Sequence, residues 1–167
     1  MPDDLSFKLT YAPERPEDAP LAEALVDRAF GPGRFVKSSE RVREIAQFAP
    51  ELSVCAFDGG VLVGTVRLWR VRIGDQPVVF LGPLAVDLDQ RSAGVGAVMV
   101  QRACDAAKAA GETWVVLVGD EPYFGRFGFA AAPAAAVRLP GPVDQRRVLA
   151  LRLRDEAPEP AGSFSPL

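Results

Sequence analysis

Histidine is absent from all 167 residues of this chain. Its absence excludes every catalytic arrangement in which an imidazole moves a proton, and every His-ligated metal site. Cysteine is nearly absent, with only Cys55 and Cys104. Two cysteines cannot build a disulfide framework, and without histidine they do not make a zinc site. Both stand in apolar patterns and read as buried reduced thiols, so a cytoplasmic location is the default expectation. No apolar run reaches the length of a membrane span. The first residues, Met1-Pro-Asp-Asp-Leu-Ser6, lack the charged and apolar regions of a signal peptide. The net charge is −3, with Lys and Arg dispersed among the acids. Nothing forms the basic stripe of a nucleic-acid binder. The expectation is a protein with no nucleic-acid partner, no membrane partner and no metal.

What the chain does have is 49% hydrophobic residues, enough for one domain with a sizeable core. Phe7 to Tyr11 reads as a first strand. Pro16 opens a helix through Leu21, Leu25, Val26 and Phe30, and Gly31-Pro-Gly33 stops it. Ser38 or Ser39 caps a second helix through Val42, Ile45 and Phe48, which Pro50 ends. Strands follow over Ser53–Phe57 and Val61–Ile73, joined by the turn Asp58-Gly-Gly60. After Gly74-Asp-Gln-Pro77 comes a strand over Val78–Val86. A helix from about Gly94 to Ala110 carries Val98, Val100, Cys104 and Ala107 on a core-like face. Trp114–Val118 is a compact strand, Glu121–Phe127 a short helix or turn, and Val148–Leu153 a final strand. The order β-α-α-β-β-β-α-β-α-β puts a meander before one βαβ crossover. Residues 1–156 read as a single domain. Residues 157–167 hold three prolines and read as a flexible tail.

The stretch Arg91-Ser-Ala-Gly94-Val-Gly96 lies where a polar loop after an apolar strand becomes a helix. Glycines there let backbone amides approach an anion, and the helix N-terminus adds partial positive charge. A plainer reading is that Gly94 and Gly96 only permit close helix packing. A dinucleotide site is another reading, with Asp120 near the place of a ribose-binding acid. Against it, Met99 replaces the third glycine, and the loop Asp87–Ala93 separates strand from glycines. A Walker-type loop is excluded, since no Gly-Lys-Ser/Thr follows.

The same residues match Q/R-x-x-G-x-G/A, and the chain resembles the GCN5-related N-acetyltransferases, the GNAT family. The resemblance covers roughly Leu5 to Leu153 and is strongest from Phe80 to Phe129. The block Val118-Gly-Asp-Glu-Pro-Tyr123-Phe-Gly-Arg-Phe-Gly128-Phe is similar to a large bacterial subgroup of that family. The resemblance implies a single-domain α/β fold. Its central sheet is mixed, mostly antiparallel, with flanking helices, and is splayed where acetyl-CoA enters. It implies that the backbone at Leu84, Ala85 and Val86 holds the pantetheine arm as an added strand. Arg91 and the amides of Ser92, Ala93, Gly94, Val95, Gly96 and Ala97 would hold the pyrophosphate.

The implied activity is transfer of acetyl from acetyl-CoA to a primary amine, most simply a small molecule, within a ternary complex and without a metal. A backbone amide at Ala85 would stabilise the developing oxyanion. In the family a tyrosine four residues before the Gly-Phe pair often protonates the leaving thiolate. Phe124 holds that position here, within the coenzyme site, and Tyr123 is its neighbour and the candidate acid. Glu40, Asp120 and Glu121 are the candidate bases. Phe30 and Phe35, from the loop after the first helix, and Arg67 and Trp69, on one face of a strand, are candidates to line the acceptor pocket. A homodimer is a further expectation, because homodimers are common in that family. Phe124 also keeps open a second reading, a non-catalytic domain that binds or senses acyl-CoA.

Overall fold

The two longest strands carry the architecture. A computed structural model describes residues 9–33 and 37–167, and the side chains of Arg91, Ser92 and Ala93 lie outside that description. Strands β4 (Val61–Ile73) and β5 (Gln76–Val86) pair antiparallel about the turn between them. Around them lie β1 (Leu9–Pro13), β2 (Gln47–Phe48), β3 (Val54–Asp58), β6 (Trp114–Val118), β7 (Val137–Arg138), β8 (Val148–Arg152) and β9 (Gly162–Ser165). The main order is β1-β3-β4-β5-β6-β8. The β5–β6 pair is parallel, and its other neighbours along that path are antiparallel. The expected mixed, mostly antiparallel sheet is therefore present.

Helices cover both faces. The face of α3 (Val95–Ala109) that packs on the sheet is Val95, Met99, Val100, Ala103, Cys104 and Ala107. These recur at helical spacing and join Val54, Leu68, Leu81 and Leu117 in the largest core. Val98, expected on this face, is exposed. On the other face, α1 (Ala19–Phe30) buries Leu25 and Val26 against Cys55, Leu62 and Ala85. Beside it, α2 (Ser38–Ile45) adds Val42 to a core with Val71, Phe80, Trp114 and Val148.

Two expectations are corrected. Phe48 is not on the second helix, which ends at Ile45. It lies on β2 opposite Trp69, with ring centroids 4.9 Å apart. The proline-rich tail does not fray. Its strand β9 pairs with Arg72 and Ile73 of β4 and with β7, and Phe164 packs edge-on to Phe80 at 5.8 Å. Burying one such ring stabilises by about 1.5–3 kcal/mol, and pairing with β4 and β7 adds to it against the cost of ordering the strand. The folded unit thus runs past residue 156, to β9.

Candidate active site

Strand β5 carries one residue more than β4 across a short stretch. Leu81 stands opposite Leu68, and Leu84 opposite Val66, so Gly82 and Pro83 share one partner position. Such a bulge bends a strand and reverses which side its later residues face. Both consequences are present. Leu81 and Leu84 pack toward α3 although three residues apart, while Ala85 packs against α1. The β5–β6 pairing is confined to Val79↔Val115 and Phe80↔Val116, and beyond it the strands part. The indole N–H of Trp69 donates to the Gly82 carbonyl at 2.6 Å and props the bulge from below.

The register fixes where the β5 amides point. Asp87 N–H donates to the Val63 carbonyl at 2.8 Å. Antiparallel pairs alternate between bonded and non-bonded, so Ala85, opposite Thr65, also bonds to β4. Its amide is turned into the sheet and does not serve as the expected oxyanion donor. The amides of Leu84 and Val86 are the ones directed to the parted side.

The start of α3 faces the same gap. A 3-10 turn over Leu88–Ala93 ends at Gly94, whose φ of 75° and ψ of 19° are left-handed. A side chain there costs about 1–2 kcal/mol, which is why glycine is needed. Gly96 lies in the first turn of the helix. A Cβ on it would stand 3.5 Å from both the Tyr123 hydroxyl and Val86 Cγ2. These groups enclose a cavity of about 320 Å³, lined by Leu84, Ala85, Val86, Gly94, Gly96, Ala97, Tyr123 and Arg126, with Ala29 and Phe30 from α1. The Arg126 guanidinium sits 4.5 Å over the Tyr123 ring. Val95 is fully buried, so only its backbone is available to a ligand.

A second cavity, of about 260 Å³, fills the gap between β5 and β6. Phe30 and Leu84 line both cavities, so the two meet there. Phe124 lines the second cavity and not the first. Its ring lies against Gly119, where an added Cβ would come within 2.5 Å of a ring carbon. Tyr123 and Phe124, edge to face at 4.9 Å, thus serve different cavities. The second cavity also presents Lys37, Arg43, Asp120 and Arg147.

Other expected residues are used elsewhere. Arg67 is 5% exposed and forks onto Glu14 through two hydrogen bonds of 3.0 Å, with Glu23 as a further partner. Burial opposes its charge, and the Glu14 carboxylate outweighs that and raises its pKa. Its guanidinium is held within the fold, and neither it nor Trp69 lines the two cavities. Phe35 lies outside the described residues. Glu121 accepts from the Ala131 amide at 3.1 Å, and Glu40 is paired with Arg43. Asp120 does line the second cavity, 3.4 Å from Arg147. Both cysteines are buried, and burial pushes each thiol up to about 12. Among the described residues no group of three or more Cys, Asp or Glu side chains is placed to hold a metal ion, and no helix is long and apolar enough to cross a membrane.

Lys37, Arg43, Arg126 and Arg147 were not among the residues expected from the sequence. Arg126 lay inside the aromatic block and Arg43 on the second helix. Nothing local marked Arg147, which reaches the cavity only because β8 pairs with β6.

Comparison with known proteins agrees with this geometry. A model of the acetyltransferase (GNAT) family matches residues 21–129. The chain is 31% identical over 146 residues to YhbS of Escherichia coli K12, described as an uncharacterized N-acetyltransferase; the match covers 86% of this chain and 87% of that protein. A crystal structure of Escherichia coli YhbS in complex with CoA superposes with a TM-score of 0.78 at 27% identity, covering 96% of this chain and 90% of that one. A GNAT family acetyltransferase from Brucella melitensis, in complex with acetyl-CoA, shares the fold with a TM-score of 0.68 at 23% identity, covering 94% of each chain.

Proposed function

Because the chain belongs to the acetyltransferase (GNAT) family, we propose that it moves acetyl from acetyl-CoA to the primary amine of a small molecule, directly and in one ternary complex. One observation carries this reading: the parted edge of β5 and the N-terminus of α3 open onto the same cavity. The outward amide of Leu84 on the parted edge of β5 suits an extended pantetheine chain laid along that strand. The first amides of α3, with Gly96 leaving room beside them, suit a pyrophosphate.

The acceptor enters through the second cavity, and the thioester meets it beside Leu84, where the two cavities join. The amine nitrogen attacks the carbonyl carbon, the C–S bond breaks, and the thiolate leaves with the electron pair. The Leu84 amide is the donor suited to the developing oxyanion, since it is fixed in the sheet and needs no titration. Asp120, the carboxylate on the described lining of the second cavity, is suited to take the proton that the amine gives up. Phe124 has no proton to give, and the Tyr123 hydroxyl sits at Gly96. The leaving thiolate therefore departs unprotonated or takes its proton from water. Both cysteine thiols stay protonated at neutral pH, which favours direct transfer over an acetyl-cysteine route.

Acetyl-CoA at a hundred times its dissociation constant stabilises the folded state by about 2.7 kcal/mol, and NAD does not. Amine-dependent release of free thiol from acetyl-CoA follows. Absence of any melting shift with acetyl-CoA overturns the reading. The phenylalanine at position 124 supports one alternative, a domain that binds acyl-CoA without turnover. Coenzyme binding with no thiol release for any amine supports that alternative.

A further inference from the structure

We infer that the acceptor is an amine carrying an anionic group within a few bonds of its nitrogen, attached to an apolar body. This rests on the acetyl-transfer reading and names the substrate class of the second cavity. Three cationic side chains from three separate segments converge on that cavity: Lys37 before α2, Arg43 on α2, and Arg147 before β8. Arg43 is 9% exposed at its side chain, and its Nη1 lies 3.4 Å from where a Cβ on Gly82 would stand. The guanidinium thus sits over the bulge itself.

Asp120 on the lining and Glu40 behind it offset two of these three charges, through Arg147 and Arg43. The Lys37 ammonium lies 5.5 Å over the Phe30 ring, a contact that leaves its charge intact. Among the described residues, the cavity keeps a positive excess between walls of Phe80, Leu117 and Phe124. Apolar walls lower the local dielectric and strengthen that field. A polyamine is repelled by it, and a carboxylate or phosphate is drawn in.

The geometry sets the distance between the two functional groups. Transfer occurs beside Leu84, and Arg43 stands over Gly82, two residues away. Gly82 and Pro83 share one partner position, so the two places lie closer together than two residues of extended chain. An α-amino acid bridges such a span, with its nitrogen at Leu84 and its carboxylate on the side of the cavity lined by Lys37 and Arg43. The cavity, at about 260 Å³, lies just below the usual range for small-ligand sites of about 300–1,000 Å³, which limits the apolar body to a modest side chain.

The test is steady-state thiol release from acetyl-CoA with four acceptors: leucine, leucinamide, isoamylamine and O-phosphoethanolamine. Coenzyme affinity is measured in parallel by calorimetric titration. Leucine should exceed leucinamide and isoamylamine in kcat/KM by at least about tenfold, the scale of one charge-assisted hydrogen bond. Lys37→Gln and Arg147→Gln, both at exposed positions, should narrow that preference through KM while coenzyme affinity holds. Preference for O-phosphoethanolamine over leucine supports the anionic class with phosphate as its source. Equal or better use of leucinamide or isoamylamine overturns the inference and leaves acetyl transfer standing. Turnover of leucinamide or isoamylamine with none of either anionic amine overturns it in the same way. Failure of acetyl-CoA to bind overturns the acetyl-transfer reading and this inference together.

Discussion

The hydroxyl of Tyr123 stands 3.5 Å from the point where a Cβ on Gly96 would lie. That places the phenol at the start of α3, on the cavity proposed for the coenzyme. An acid positioned for proton transfer contributes about 10²–10⁴-fold in rate. Tyr123→Phe should therefore lower turnover by less than about tenfold, with the larger effect on the acetyl-CoA KM. Steady-state kinetics with an identified acceptor check this. A hundredfold loss of turnover at unchanged coenzyme affinity makes Tyr123 the acid.

Gly96 and Gly94 should respond in opposite ways to alanine. At Gly96 the new methyl meets only ordinary contacts at 3.5 Å, so the fold keeps its melting temperature. Alanine also fits the G/A place of the pattern, so Gly96→Ala should keep its acetyl-CoA affinity, whereas Gly96→Glu puts bulk and a like charge beside the first α3 amides and should lose at least about tenfold in affinity while the fold survives. At Gly94 nothing lies within 4 Å of a Cβ, but the left-handed backbone makes Gly94→Ala cost about 1–2 kcal/mol of fold stability. Denaturant unfolding and calorimetric titration of these variants separate the two effects.

Arg67→Met should destabilise by about 3–5 kcal/mol, because it strands the buried Glu14 carboxylate. Arg67→Met combined with Glu14→Met should recover much of that loss. Urea unfolding of the single and double variants is the measurement. A single variant as stable as the parent shows that Glu14 finds another partner.

Asp18 is hydrogen-bonded by the Arg15 side chain, which holds its carboxyl below the usual carboxylate range. A depressed folded-state pKa contributes stability above the unfolded value of about 3.9, and that contribution is lost as pH falls through the folded value. Asp18→Asn should lower the melting temperature at pH 7. The gap to the parent should close as the pH is taken below about 4. Melting curves from pH 7 to pH 3 test this, and a gap that does not narrow below pH 4 assigns the effect to packing.

Cys55 and Cys104, with thiols pushed up to about 12 by burial, should resist iodoacetamide at pH 8 in the native protein and react once it is unfolded. Turnover should survive Cys55→Ala and Cys104→Ala. Near-total loss in either folded variant restores a covalent acetyl-cysteine route.

The sequence displayed what is local. Strands β4 and β6 have the expected bounds, Val61–Ile73 and Trp114–Val118, because β6 is a continuous apolar run, β4 is rich in β-branched and aromatic residues, and both are closed by turn residues. The glycines at the start of α3 were legible for the same reason. What depends on distant partners was not. Arg67 read as an acceptor contact because Glu14, 53 residues away, carries no mark of its role. Phe48 kept helical spacing with Val42 and Ile45, yet pairs with Trp69. Composition alone made the last eleven residues a tail, and the pairing of Gly162–Ser165 with β4 and β7, with Phe164 seated beside Phe80, makes part of them a strand. Ala85 was expected to offer its amide because a bulge is a matter of register, which no single residue announces.

The extra residue in β5 makes the site depend on a count as much as on any side chain. Most substitutions at Gly82 or Pro83 keep the count. Removing either residue brings β5 back into step with β4. The strand is then expected to run on against β6, with Leu84 and Val86 keeping the face they pack on now, so that the gap between β5 and β6 closes over the outward Leu84 amide. A drifting population of such chains tolerates many exchanges of letters in this stretch and almost no change in its length. Deletion scanning through residues 80–86 is thus a sharper reporter of activity than alanine scanning.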